Sequence, residues 1–117
     1  MARILLVEDD EFISRMVSMR LGLLEHEVEH AVNGQEAVDM ALATDYDLVL
    51  MDMHMPVMDG HEATRRLREQ GYKGLIVAVT ASVMSADSEK AIKSGCDDCI
   101  PKPIGDDFEE RISTLLK

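Results

Sequence analysis

The chain has 117 residues, an apolar fraction of 46% and a formal net charge of −11. That is enough for one domain with a core of ordinary size, and too apolar for a disordered chain. A strong negative charge without any basic run excludes direct binding to nucleic-acid phosphates.

Ile4-Leu5-Leu6-Val7 is a continuous apolar run, as in a strand buried on both faces. Four acids follow it, Glu8 to Glu11. Phe12, Ile13, Met16, Val17, Leu21 and Leu24 recur at helical spacing and predict a first helix, with Asp10 in an acidic start favoured by the dipole. Val28 to Val32, with polar residues interleaved, predicts a more exposed second strand. Asn33-x-x-Glu36 has the form of a capping box and opens a second helix through about Ala43. Tyr46 to Met51 predicts the third strand. Asp59-x-x-Glu62 caps a third helix that turns Ala63 and Leu67 inward and ends near Gly71. Leu75 to Val79 predicts the fourth strand, and Ser85 to Ser94 a fourth helix closed by a left-handed Gly95. Asp98 to Ile100 predicts a short fifth strand. Asp106-x-x-Glu109 opens a last helix with Phe108, Ile112, Leu115 and Leu116 on one face.

Five strands alternating with five helices predict an α/β fold, a parallel sheet with helices on both faces. Residues 1–117 are expected to form one domain, with no residues left for an output domain. No apolar stretch is long enough to span a membrane, and the N-terminus lacks a signal-peptide layout, so the expected setting is cytoplasmic. Cys96-Asp97-Asp98-Cys99 has the C-x-x-C spacing of a redox or metal pair. Two intervening acids disfavour thiolates, and no second ligand pair has zinc spacing, so both are read as reduced thiols. The four histidines, His26, His30, His54 and His61, are read as solvated side chains.

The chemistry is concentrated just past the strand-like runs, where open α/β sheets bind ligands. Glu8 and Asp9 follow the first run, Asp52 the third, Thr80 the fourth and Lys102 the fifth. If Glu8, Asp9 and Asp52 converge, their charges resist joint ionisation, and a hard cation such as Mg²⁺ relieves that repulsion. A carboxylate such as Asp52 can attack phosphorus to form an aspartyl phosphate. The transferred group carries charge on three equatorial oxygens. Mg²⁺, Lys102 and the Thr80 hydroxyl would each answer one of them. Taken singly, each residue has a plainer role as turn former, helix cap, strand filler or solvated charge. Together, all at strand ends, they form one coherent set.

These motifs, namely Glu8-Asp9, Asp52-x-x-Met55-Pro56-x-x-Asp59-Gly60, Thr80-Ala81 and Lys102-Pro103, resemble the receiver domain of two-component response regulators, the family of the chemotaxis response regulator. The resemblance runs from about Arg3 to Leu116. It implies a flavodoxin-like sheet in the order 2-1-3-4-5 and a signalling phosphoacceptor rather than an enzyme, one that assists its own phosphorylation and dephosphorylation. It implies Asp52 as the acceptor, and Mg²⁺ held by Asp9, Asp52 and the main-chain carbonyl of His54, with Glu8 acting through water. Thr80 would be the switch hydroxyl, Lys102 the phosphate-binding lysine, and Lys102–Pro103 a cis bond. The implied partner is a histidine kinase or histidine phosphotransfer domain. The segment Met51 to Leu67 also resembles receivers attached to hybrid histidine kinases. A helical partner is expected on the first helix, where Ser14, Ser18, Met16 and Met19 suggest a mixed surface. The chain departs from the family at Cys99, where Tyr or Phe is usual. That departure implies a phosphoryl carrier that stays monomeric or weakly dimeric.

Three rival classes fit less well. A haloacid dehalogenase-like phosphohydrolase would place a second Asp two residues after the nucleophile, where this chain has His54. A flavodoxin-like cofactor binder would carry a hydroxyl- and Gly-rich phosphate loop after the first strand, where this chain has four acids. A phosphate-independent interaction module would be expected to lack part of the acid, Thr and Lys set.

Overall fold

The computed structural model describes residues 2–80, 86–102 and 104–117. Ten elements alternate along the chain: β1 (Arg3–Val7), α1 (Glu11–Leu23), β2 (Glu27–Ala31), α2 (Gly34–Ala43), β3 (Leu48–Asp52), α3 (Gly60–Glu69), β4 (Ile76–Thr80), α4 (Ala86–Ser94), β5 (Asp98–Pro101) and α5 (Phe108–Leu115). The five strands are parallel and ordered β2-β1-β3-β4-β5. Alternation of side chains along each central strand feeds two cores. Leu5, Val7, Val49, Met51, Ile76 and Ala78 meet Ala37, Ala41, Ala63, Leu67 and Ala91 of α2, α3 and α4. Ile4, Leu6, Leu48, Leu50 and Val77 meet Val17, Leu21, Phe108 and Ile112 of α1 and α5. Burial of both faces explains why β1, β3 and β4 read as unbroken apolar runs.

Three helix starts are fixed by side-chain caps. Asp10 accepts from Ile13 N–H at 3.0 Å, Asn33 from Glu36 N–H at 2.9 Å, and Asp59 from Glu62 N–H at 2.9 Å. The fifth start differs from its sequence signature. α5 begins at Phe108, and its N-cap Asp107 makes no side-chain cap bond. Glu109 is drawn away by Arg20 of α1, whose Nε lies 2.6 Å from Glu109 Oε2. The same guanidinium donates to Gly105 O at 2.8 Å and sits 5.3 Å over the Phe108 ring. A charge-assisted bond to a neighbouring helix outweighs a local cap.

Several boundaries shift by one or two residues. β3 begins at Leu48 instead of Tyr46, because Asp47 turns to accept from Arg3 N–H at 2.8 Å. β3 ends on Asp52, one residue later than the apolar run suggests. α3 ends at Glu69, ahead of Gly71, which has φ 86°. Gly95 closes α4 with φ 122°, within the left-handed half of backbone space that favours glycine. The expected helical residue Ser85, the Ala81 of the Thr80-Ala81 motif and the expected cis bond at Pro103 lie outside the described residues.

Three side chains reverse their expected positions. Phe12 is 78% exposed on α1, whereas Ser14 is buried. His61 is also buried, not solvated, with both ring nitrogens lacking a hydrogen-bond partner; its pKa is held below the usual histidine value by that burial. Cys96 and Cys99 are free and buried, and burial pushes the Cys96 thiol up to about 11. Cys96 is therefore an inert thiol at neutral pH.

Candidate functional site

The C-terminal ends of β1, β3, β4 and β5 meet along one edge of the sheet. Asp52 is the last residue of β3 and is 2% exposed. Glu8, the first residue beyond β1, is 3% exposed, while Asp9 faces solvent. Carboxylate oxygens of Glu8, Asp9 and Asp52 lie within 4.8 Å of one another. The expected acid cluster is thus assembled in space from residues more than forty positions apart.

Lys102, just past β5, reaches into this cluster. Its Nζ is 3.2 Å from Glu8 Oε1 and 3.1 Å from Asp52 Oδ1. The lysine backbone is anchored at the end of β4, because Lys102 N–H donates to Thr80 O at 2.6 Å. Thr80 closes β4 fully buried; Asp52 pairs with its neighbour Val79 across the ladder. The hydroxyl-bearing residue and the lysine are therefore next to each other at the same edge as Asp52. His54 N–H donates to Asp52 Oδ1 at 3.2 Å, and the His54 ring reaches Asp87 of α4 at 3.1 Å.

The electrostatics follow from crowding. Burial first, and the hydrogen bond shared with Asp52 second, push the Glu8 carboxyl up to about 7. Burial opposes the Lys102 ammonium, yet Asp52 and Glu8 beside it hold its pKa above the usual lysine value. One ammonium thus faces three acids, and the edge retains an unanswered negative charge. Oxygen ligands, close spacing and excess charge fit a hard divalent cation. They do not resemble a thiolate or imidazole site for softer metals.

The loop after β3 is built to hold this edge. Gly60 N–H donates to Met53 O at 3.2 Å, and a Cβ at Gly60 would collide with the Asp52 carbonyl. Only glycine lets the start of α3 approach so closely, which explains the Asp59-Gly60 pair. Met58 N–H donates to Pro56 O at 2.8 Å around Val57, whose φ is 70°. This is a strained conformation for a β-branched residue.

A cavity of about 480 Å³ opens over Asp52, lined by Phe12, Ile13, Met16, Asp52, His54, Val79, Lys102 and Ile104. Phe12 and Ile104 were not read as site residues from the sequence. The signal for Phe12 was present: with Met16, Met19 and Leu23 it forms an apolar series spaced by four, three and four residues. Phe12, Met19 and Leu23 are 78%, 64% and 78% exposed. Ser14, expected on that surface, lies on the opposite, buried side of α1.

Comparison with known proteins matches this geometry. The family model for the response regulator receiver domain covers residues 4–113. The chain is 44% identical over 121 residues to a two-component response regulator of Oryza sativa, covering 99% of this chain and 92% of that protein. It spans only 3% to 12% of the length of the sensor and hybrid histidine kinases it also matches. Among solved structures it is similar to the receiver domain of a Pseudomonas aeruginosa sensor histidine kinase with magnesium coordinated in its active-site cleft. That match has 34% identity, a TM-score of 0.87 and coverage of 97% of this chain and 93% of the other. A yeast receiver domain, that of Ssk1 in complex with the histidine phosphotransfer protein Ypd1, is 29% identical with a TM-score of 0.85, covering 97% and 85% of the two chains. No helix among the described residues is long and apolar enough to cross a membrane. The sheet order, the acid cluster at its edge and the family match over nearly the whole chain lead to one conclusion: this chain belongs to the receiver domain family of two-component and phosphorelay signalling.

Proposed function

We propose that Asp52 is the phosphoacceptor of this receiver domain and that a phosphohistidine on a helical partner is the donor. The observation that carries this reading is the Lys102 ammonium seated between Asp52 and Glu8 at the end of a buried strand. An Asp52 carboxylate oxygen would bond to phosphorus as the bond from phosphorus to the donor imidazole nitrogen breaks. The electron pair stays on that nitrogen, and with the donor's other ring nitrogen already protonated the donor leaves as neutral imidazole. Lys102 would then turn from the carboxylates to a phosphoryl oxygen, where a fixed cation stabilises the charge of transfer. The Thr80 hydroxyl would answer a second oxygen.

Asp9, Asp52 and the His54 main-chain carbonyl would hold Mg²⁺, with Glu8 contributing through water. The ion would supply charge neutralisation for the remaining phosphoryl oxygen. No enzymatic turnover of a separate substrate is needed for this role. Exposed Phe12, Met19 and Leu23 with half-buried Met16 form an apolar series on α1, of which Phe12 and Met16 line the cavity over Asp52, and this series suits the apolar face of a partner helix.

Incubation with a phosphorylated histidine phosphotransfer protein tests this reading. Label should pass to this chain in the presence of Mg²⁺ and should not pass to Asp52→Asn. Met19→Glu, outside the cavity, should slow transfer from the partner while leaving labelling by acetyl phosphate unchanged. Equal transfer to wild type and Asp52→Asn would overturn the assignment.

A further inference from the structure

We propose that His30 is a positioning residue for the cation site, acting through the backbone of Glu8. This inference rests on the reading that Glu8, Asp9 and Asp52 hold a divalent cation. β2 is the edge strand beside β1, and their register runs from Arg3 opposite Glu27 to Val7 opposite Ala31, where both strands end. The first residue beyond, Glu8, begins the acidic turn. Its N–H still donates to Ala31 O at 3.0 Å. Among the described residues no backbone N–H donates to its carbonyl, because the chain after Ala31 turns away into α2. The His30 ring fills that place: Nε2 lies 2.7 Å from Glu8 O. A carbonyl oxygen only accepts, so Nε2 carries the proton and donates. Both the neutral Nε2–H tautomer and the cation supply that proton, so the contact requires no change of charge.

The consequence is local stiffness where it matters. With both main-chain groups of Glu8 tied to β2, the turn that follows is held at its root. Asp10 N–H then donates to Glu8 Oε2 at 3.2 Å, and Asp10 itself caps α1. Glu8 and Asp9 are thereby presented to Asp52 from a fixed backbone instead of a loop. Orienting partners of metal-binding groups commonly set affinity in this manner, because a pre-arranged ligand set loses less freedom on binding. Nothing in the sequence points to it, since His30 looks like one polar residue on an alternating edge strand.

Isothermal titration with Mg²⁺ alone, without phosphorylation, tests the inference on wild type, His30→Leu and His30→Gln. His30→Leu keeps bulk but loses the donor, and should weaken Mg²⁺ binding about 3- to 10-fold, the range expected for one hydrogen bond. His30→Gln places an amide N–H near the same point and should recover most of the affinity. Melting of the three proteins in EDTA should differ far less than their Mg²⁺ affinities, which a merely structural role would not produce. Equal Mg²⁺ affinity in all three, or equal loss in both variants, would overturn the role of His30 while leaving the cation site intact. Absence of Mg²⁺ binding in wild type would instead remove the cation site itself, and this inference with it.

Discussion

Two polar networks occupy opposite ends of the sheet, and they are built on opposite principles. At the C-terminal edge, Lys102 faces Glu8 and Asp52 with Asp9 close by, so acids outnumber the cation; burial first, and the bond with Asp52 second, push Glu8 up to about 7. At the other end, Arg68 of α3 is fully matched. Its guanidinium donates to Gly95 O at 2.9 Å, Tyr72 O at 2.8 Å, Gly74 O at 2.9 Å and Asp97 Oδ2 at 3.0 Å. Asp97 in turn accepts from Ile76 N–H at 2.9 Å. The Arg68 clasp closes the turns that precede β4 and β5, and its charge is answered by Asp97. The acidic edge leaves charge unanswered and keeps a cavity over it. Balanced polar groups hold a fold together, whereas unbalanced ones hold a place for something else.

The contrast can be broken at either end. The largest effect is expected at the acidic edge on activity: Lys102→Ala should slow labelling by acetyl phosphate about 100-fold, the scale for losing one fixed charge at a transferring group. Stopped labelling kinetics at saturating Mg²⁺ would measure it. Arg68→Met should do the reverse. It should lower unfolding free energy by about 2–3 kcal/mol in urea melts, through carbonyls and a carboxylate left unmatched, yet leave the labelling rate of the folded protein unchanged.

Glu8→Gln sharpens the comparison through pH. A folded-state carboxyl at about 7, against an ordinary 4.5, means that burying the charged form costs stability once it ionises. That cost is absent below about 4.5, grows as pH rises, and is complete above 7. Without Mg²⁺, Glu8→Gln should therefore be more stable than wild type at pH 8, by on the order of 3 kcal/mol, and the gain should vanish near pH 4.5. Urea melts across that range, with a gain that fails to shrink on acidification, would show that Glu8 is not the group under strain.

The smallest expected effect is none. Cys99 is buried in the core shared with Ala78 and Ala91, and Ser88 Oγ of α4 lies 3.6 Å from its sulfur. A thiol in this place moves little volume, so two states of the site would present similar surfaces on α4, β5 and α5. Sedimentation velocity at micromolar concentration should give the same species with and without beryllium fluoride and Mg²⁺. A shift to dimer would mean that another element carries the signal to that face.

Much of this was legible in the sequence. Unbroken apolar runs announced strands covered on both faces, and two of the three capping signatures, at Asn33 and Asp59, sat where the helices begin. The clustering of the candidate site's groups was legible because each ends or follows a strand, and parallel strands bring such positions to one edge. What escaped the sequence depended on side chains reaching between elements. Arg20 diverts Glu109 from the α5 cap, and that competition is invisible in Asp106-x-x-Glu109 alone. His61 flanks the acidic loop in sequence yet turns inward on α3. Phe12 and Ser14 are two residues apart on one helix, and residues so spaced do not share a face. Hydrophobicity suggested that Phe12 is inside; the helical period and the packing of Val17 and Leu21 placed Ser14 there instead.

The most direct measurement is the mass of the intact protein after treatment with acetyl phosphate and Mg²⁺. Wild type should gain one phosphoryl group, and Asp52→Ala should gain none. Addition of the same group to Asp52→Ala, with EDTA failing to prevent it, would contradict both the acceptor and the cation assigned to this edge.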